Sequence, residues 1–384
     1  MAADLLIKDA RLYTDKDSNN LNDILISSGK IKKVAPSLHE NDVEIFNAGG
    51  DIVTPGFIDI HIHGAGGEEA TSVHAEHIHT MSKSLAKLGT TGFLATPVYI
   101  PFSAMKNLKL LDSFKPNSGE SQMLGIHLEG PFVNREKNGG MQQDWILEPS
   151  ESILGEILDS TNGSMKMMTI APEIDENLTL TRQMQKAGII PAFGHTTATF
   201  EESLQFIQSG VKHITHLYNA MPGIHHREPG PLLAIFENDD VTVQLISDGN
   251  HVSPEIINWT AEQIGTDRII TITDGMQGTG LPDGQYIYNG KEYESKGGTA
   301  YYLDGTIIGS TLGLAQHVMN FWKFTGCKFA EVVHTGTLNP ARLLGLDHRK
   351  GTIDPGKDAD LVILDDKLQV KNTIIAGEVV PAHA

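Results

Sequence analysis

The chain has a single cysteine, Cys327, among 384 residues. That excludes an internal disulfide framework and suits a reducing cytoplasm. Basic residues are scarce: 29 Lys and Arg face 48 Asp and Glu, a formal net charge of −19. This balance argues against nucleic acid or an anionic membrane as partner. A small anionic substrate stays open, because one local cationic pocket suffices for it. No apolar run is long enough to cross a bilayer. Met1 to Ala10 lack the basic start and apolar stretch of a signal peptide, so a cytoplasmic location is expected. A phosphate-binding glycine loop is missing too, since Gly64-Ala65-Gly66-Gly67 does not match the dinucleotide fingerprint. The apolar share of 40% is that of an ordinary globular protein with a large core.

Histidine is what the chain has in plenty. Most of its 17 histidines need no chemical role, so their position is the signal rather than their number. Apolar, strand-like runs end near His63, Pro97, Glu129, Glu173, His195, His216, Asp248 and Asp274. Amphipathic helical patterns lie between them: His74 to Leu88, Leu178 to Ala187, Phe200 to Gln208 and Pro254 to Ile264. Gly89, Gly188, Gly210 and Gly265 mark where helices stop. Eight strands alternating with helices point to an α/β fold, a (β/α)8 TIM barrel, over residues 55–349. Both flanks read as short strands with turns. We expect residues 1–54 and 350–384 to pair into one small β-sandwich domain built from the two termini.

In such a barrel the active site lies at the C-terminal ends of the strands. His61 and His63 end the first strand, two residues apart, and so share a face. Glu129 ends the third, His195 the fifth, His216 the sixth and Asp274 the eighth. Any one of these has an ordinary explanation, such as a helix cap or a hydrogen-bonded core group. Five strand ends on one face are harder to explain that way. Imidazole and carboxylate donors without thiolate suit a divalent metal: zinc by preference, with iron, manganese or cobalt as alternatives. His61, His63 and Asp274 would hold one ion and His195 and His216 another, with Glu129 shared. Paired ions activate water near neutral pH, and Asp274 would act as general base and then acid. His127 and His213 alternate with the ligands and read as structural. His74, His77 and His79 read as the solvated face of a helix. After the sixth strand, His225, His226 and Arg227 form a basic spot on a loop. Arg227 is either a surface partner of Glu228 or an anion contact. His251, after the seventh strand, adds a cation on the same face.

Several motifs resemble those of the amidohydrolase superfamily, and within it the N-acetylglucosamine-6-phosphate deacetylases. They are PGFIDIHIHG (55–64), HLEGPF (127–132), APE (171–173), GHT (194–196), THLYNAM (215–221), REPG (227–230), SDGNHV (247–252), TDGM (273–276), IIGSTL (307–312), NPAR (339–342) and GTIDPGKDADLVIL (351–364). The first and last mark the superfamily only. The resemblance implies a metal-dependent amide hydrolase that removes the acetyl group from an amino sugar 6-phosphate. It implies Glu129, His195 and His216 as metal ligands, a second ion at His61 and His63, and Asp274 as the catalytic aspartate. It implies sugar-phosphate contacts from Asn219, Ala220, Arg227 and His251, and a homodimer in which His251 reaches across the interface. Ile307, Ile308 and Gly309 match a substrate-lining strand, and Gly140 and Met141 a loop that meets the sugar. Met141 stands where His or Gln is usual. The alternative reading is another deacylase of the superfamily with a different N-acyl substrate. The dihydroorotase type is disfavoured, because it bridges its metals through a modified lysine where this chain has Glu129.

Overall fold

The computed structural model describes residues 4–382 except Asn289. The outermost ends of the two expected β-sandwich segments, residues 1–3 and 383–384, lie outside the described residues. The expected barrel is present. Its eight parallel strands are Phe57–Ile62, Thr90–Ala95, Gln122–Glu129, Met165–Ile170, Ile190–Phe193, His213–Ile214, Thr242–Ile246 and Ile269–Ile272, hydrogen-bonded in that order. All eight lie where the apolar runs predicted them.

Closure falls between the eighth strand and the first. Ile62 bridges Gly275 in parallel, and the His63 amide donates to the Gly275 carbonyl at 2.8 Å. Asp59, fully buried on the first strand, fastens this seam by accepting from Thr273 Oγ1 at 2.6 Å. Burial pushes the Asp59 carboxyl up to about 6, against the hydrogen bonds it accepts from Thr273 and His61.

The four helical patterns fold as read, over Ala75–Lys87, Thr179–Lys186, Phe200–Gln208 and Pro254–Ile264. In the first, Ile78, Met81 and Leu85 are buried at helical spacing. The third begins with a capping box, in which Thr199 Oγ1 accepts from the Glu202 amide and Glu202 Oε2 accepts from the Thr199 amide. Strand residues divide between two cores. Phe93, Met168, Phe193 and Ile269 face the helices. Their neighbours Leu94, Met167, Ala192 and Ile270 form a separate aliphatic cluster with Ile58 and Ile60.

Both termini enter one eight-stranded sheet. Its path runs Glu378–Pro381, Val370–Ile375, Leu361–Leu364, Ile52–Pro55, Leu5–Leu12, Asn22–Ser27, Lys30–Ala35, and Glu44–Asn47 pairs with Leu5–Leu12. Ser28 and Gly29, with φ of 52° and 74°, form the tight turn that a two-residue hairpin needs. Ile52–Pro55 joins the two halves, and the chain leaves it directly for the first barrel strand.

The alternating pattern gave no sign of a third element. After the eighth strand the chain builds a four-stranded antiparallel sheet from Gly284–Tyr288, Lys291–Lys296, Thr299–Tyr302 and Ile307–Ser310. Its last strand returns to the barrel mouth, where the Ser310 amide donates to the Asp274 carbonyl at 2.9 Å. Gly309 allows this approach: a Cβ there would lie 2.4 Å from that carbonyl oxygen.

Candidate metal centre and active-site cavity

Six side chains from five strand ends converge at the barrel mouth. His61, His63 and Asp274 make one set of candidate ligands, and Glu129, His195 and His216 the other. His63 Nε2 lies 3.2 Å and His61 Nε2 3.4 Å from Asp274 Oδ1. Glu129 stands between the sets. Its Oε1 is 3.0 Å from His216 Nε2, 3.1 Å from His195 Nε2 and 3.3 Å from His61 Nε2, while its Oε2 is 3.4 Å from His63 Nε2. All six are buried.

The backbone is bent to achieve this. His195, His216 and Asp274 each follow the end of a strand with positive φ, 49°, 25° and 49°. Residues with a Cβ avoid that region, at a cost of about 1–3 kcal/mol each. Three such residues at one barrel end show surroundings that over-determine the site. The clamps are visible. Glu173 accepts from the Thr197 amide at 2.6 Å, from Thr196 Oγ1 at 2.6 Å and from Asn134 Nδ2 at 2.8 Å. It thereby ties the loop after the third strand to the one carrying His195.

The donor set fits a divalent cation. His63 Nδ1 donates to the Thr96 carbonyl at 2.8 Å, and His195 Nδ1 to the Lys137 carbonyl at 2.6 Å. Carbonyls only accept, so both rings turn an Nε2 lone pair into the cluster. His61 Nδ1 meets Gln244 Oε1 at 2.9 Å. Lone pairs and carboxylates gathered within about 3.5 Å repel unless positive charge lies among them. The titration behaviour says the same. Burial works against the His61 cation, yet Glu129 and Asp274 push its pKa up to about 9. Burial would raise Glu129, but His195 and His61 hold it well below the usual carboxylate range. Burial would also raise Asp274, and the hydrogen bond from His63 with the charges of His61, His63 and His216 overrides it. The cluster draws in positive charge, which a metal ion supplies when bound.

Most of the expected substrate contacts share one cavity with these ligands. Gly140, Met141, Asn219, Ala220, His251, Ile307 and Ile308 line it beside His63, Glu129, His195, His216 and Asp274. Its interior holds about 120 Å³ and opens at the barrel mouth. His61 lies beneath the wall, and Gly309 spaces the strand behind it. Arg227 is not brought there. It is exposed, with its guanidinium 2.6 Å from His226 Nε2, and no ion pair joins it to Glu228 among the described residues. His251 lines the cavity of its own chain, so the fold does not require a second subunit to deliver it. Its Nδ1 donates to Asp248 Oδ2 at 2.6 Å.

His127 and His213 lie inside the barrel as structural groups; His127, two residues before Glu129, shares its face instead of alternating with it. His127 bonds the Ile60 carbonyl and Thr169 Oγ1, each at 2.9 Å. Burial holds both rings neutral, with the His213 pKa lowered to about 3. His77 and His79 are partly exposed and pair with Glu68 and Glu120. Two residues escaped the sequence reading. Tyr288 lines the cavity beside His63 with ring centroids 6.3 Å apart, and it comes from the inserted sheet. Gln244 is fully buried under the ligands. An amide side chain amid the run Thr242-Val243-Gln244-Leu245-Ile246 was the signal that could have found it.

The amidohydrolase family profile matches residues 52–380. N-acetylglucosamine-6-phosphate deacetylase of Bacillus subtilis (strain 168) is 34% identical over 387 residues, 99% of this chain and 98% of its own. N-acetylgalactosamine-6-phosphate deacetylase of Escherichia coli O157:H7 is 30% identical, over 97% and 98%. Among solved structures, N-acetylglucosamine-6-phosphate deacetylase from Pasteurella multocida superposes with a TM-score of 0.91 at 26% identity, covering 98% of this chain and all of that one (100%). A mutant of the Mycobacterium smegmatis enzyme, in complex with N-acetyl-D-glucosamine-6-phosphate, gives 0.89 at 31% identity over 98% and 99%. With its barrel, its two ligand sets and matches of this length, the chain belongs to the amidohydrolase family.

Proposed function

We propose that the chain is a metal-dependent deacetylase. It hydrolyses the acetamide of N-acetyl-D-glucosamine 6-phosphate to D-glucosamine 6-phosphate and acetate. The observation that carries this reading is Glu129, 3.0–3.4 Å from histidines of both ligand sets in the lining of one cavity. His61, His63 and Asp274 would hold one divalent ion, and Glu129, His195 and His216 the other. We take zinc as the ion, from the imidazole and carboxylate donors. When bound, such ions polarise a carbonyl and make water acidic near neutral pH.

The protein's own groups do the rest. The Asp274 carboxylate, in the cavity lining, takes the proton of the attacking water and returns it to the amide nitrogen as the C–N bond breaks. His251, fixed by Asp248, presents its free ring edge to the phosphate. Ile307 and Ile308 give the sugar an apolar wall, and the Asn219–Ala220 segment a polar one. Binding at the phosphate thus orients the amide at the other end. Arg227 lies outside the cavity, exposed beside His226, so the phosphate contact expected of it has no support from the geometry of one chain. No helix among the described residues is long and apolar enough to cross a membrane, and the lone Cys327 suits the cytoplasm.

Acetate release from a panel of N-acetylated sugars and amino acids, each with and without phosphate, tests the assignment. Preference for N-acetylglucosamine 6-phosphate supports it. Preference for an acylated amino acid would move the chain to another deacylase of the superfamily.

A further inference from the structure

His61 differs from the other ligand histidines in what lies behind it. The Nδ1 atoms of His63 and His195 rest on backbone carbonyls. His216 Nδ1 has no partner among the described residues. His61 rests on Gln244, an amide that could turn over and offer a donor instead. The wrong orientation would push the His61 proton onto Nε2, into the metal position.

The hydrogen bonds around Gln244 have ends of fixed sense. The Lys212 carbonyl can only accept, and Thr242 Oγ1 donates to it at 3.1 Å. The Thr242 oxygen is then left to accept from His213 Nδ1 at 2.9 Å. His213 Nε2, carrying the lone pair, accepts from Gln244 Nε2 at 3.0 Å. Gln244 Oε1 therefore faces His61 Nδ1 at 2.9 Å. The opposite end agrees: the His216 backbone N–H can only donate, and it meets the same Oε1 at 3.3 Å. His61, His213 and Gln244 are fully buried, so bulk water cannot replace a missing partner.

We propose that Thr242, His213 and Gln244 form a one-way hydrogen-bond relay that locks His61 in its metal-binding tautomer. A hydroxyl on the seventh strand thereby sets the affinity for an ion it does not touch. Thr242, His213 and Gln244 are positioning residues. The inference rests on the proposed metal centre and not on the substrate assigned to it. Without the Thr242 hydroxyl, His213 can move its proton to Nε2 and set an N–H against Gln244 Nε2; only the long 3.3 Å bond from the His216 N–H then opposes the turned amide, in which the His61 lone pair leaves the site.

The test uses the full chain, stripped of metal and titrated with Zn2+ against a competing chelator. Histidine 15N shifts are recorded at saturating Zn2+, where the His61 ring carries a single proton. Thr242→Val should weaken binding of the His61-held ion about 10–100-fold, the usual cost of losing such support, and should shift His61 out of the Nδ1–H form. Thr242→Ser keeps the hydroxyl and should restore both readouts. Gln244→Met should match or exceed the valine variant. A merely structural role would lower Tm in these variants and leave affinity and shifts alone. Wild-type Zn2+ affinity in Thr242→Val overturns the relay, as does failure of Thr242→Ser to restore it. A wild-type chain that holds no ion overturns the metal centre beneath it.

Discussion

Asp274 and His61 are joined twice. The Asp274 amide donates to the His61 carbonyl at 3.0 Å, and Asp274 Oδ1 lies 3.4 Å from His61 Nε2. The first contact helps close the barrel, and the second belongs to the candidate metal centre. One seam does both because a closed parallel barrel sets the C-terminal ends of its first and last strands side by side. Asp274 turns its carboxylate inward there at a φ of 49°, held by Ser310 on one side and the first strand on the other.

Asp274→Asn should keep the shape of the site and, with Zn2+ in excess, its metal content. It should lower kcat by about 10²–10⁴-fold, the usual worth of a positioned acid–base group. Metal analysis and acetate release on the same sample check this. Near-normal turnover with the ions in place would remove Asp274 from the proton path.

Glu129→Gln removes the charge that both ligand sets share. Zn2+ binding to the two sets should weaken together, as read by chelator competition. Loss of one ion with the other unaffected would show that Glu129 serves a single set.

His251→Ala should raise KM for the phosphorylated sugar by about 10–100-fold, in line with about 1.5–3 kcal/mol for a hydrogen bond to a charged group. Unphosphorylated N-acetylglucosamine should be turned over as before. An equal loss on both sugars would mean that His251 does not read the phosphate.

Asp248→Asn carries a pH signature. Burial would raise the Asp248 carboxyl, but its hydrogen bond with His251 and the His251 charge hold it well below the usual carboxylate range. The unfolded chain therefore binds more protons around pH 4. The stabilisation is present above the unfolded value, near 3.9, and is lost as pH falls through the folded one. The variant should be about 1.5–3 kcal/mol less stable at pH 7, with the gap narrowing in acid. Denaturant titrations at pH 7 and pH 3.5 measure it, and a gap that stays constant would contradict the assignment.

The barrel was legible because its strands and helices carry different periods, and glycines such as Gly89 and Gly265 stop the helices between them. The candidate metal ligands were legible because strand ends in this fold share one face. The four-stranded insertion was not. Its strands, such as Lys291–Lys296 with burial alternating only in part, read like loop sequence after Asp274, so Tyr288 went unnoticed. Gln244 was missed because its role depends on pairing across strands, with His61 183 residues away. Arg227 stood out by composition, yet the loop that carries it turns outward, and loop direction is not written in residue type. His251 was expected from another subunit, while the turn at Asp248 folds it onto its own cavity.

The most direct measurement is a Zn2+ titration of metal-stripped protein, with bound metal and acetate release from N-acetylglucosamine 6-phosphate followed together. Activity should be absent without the ion and should rise in step with occupancy of the six-residue cluster. Full acetate release from metal-free protein, or none at full occupancy, would contradict the account.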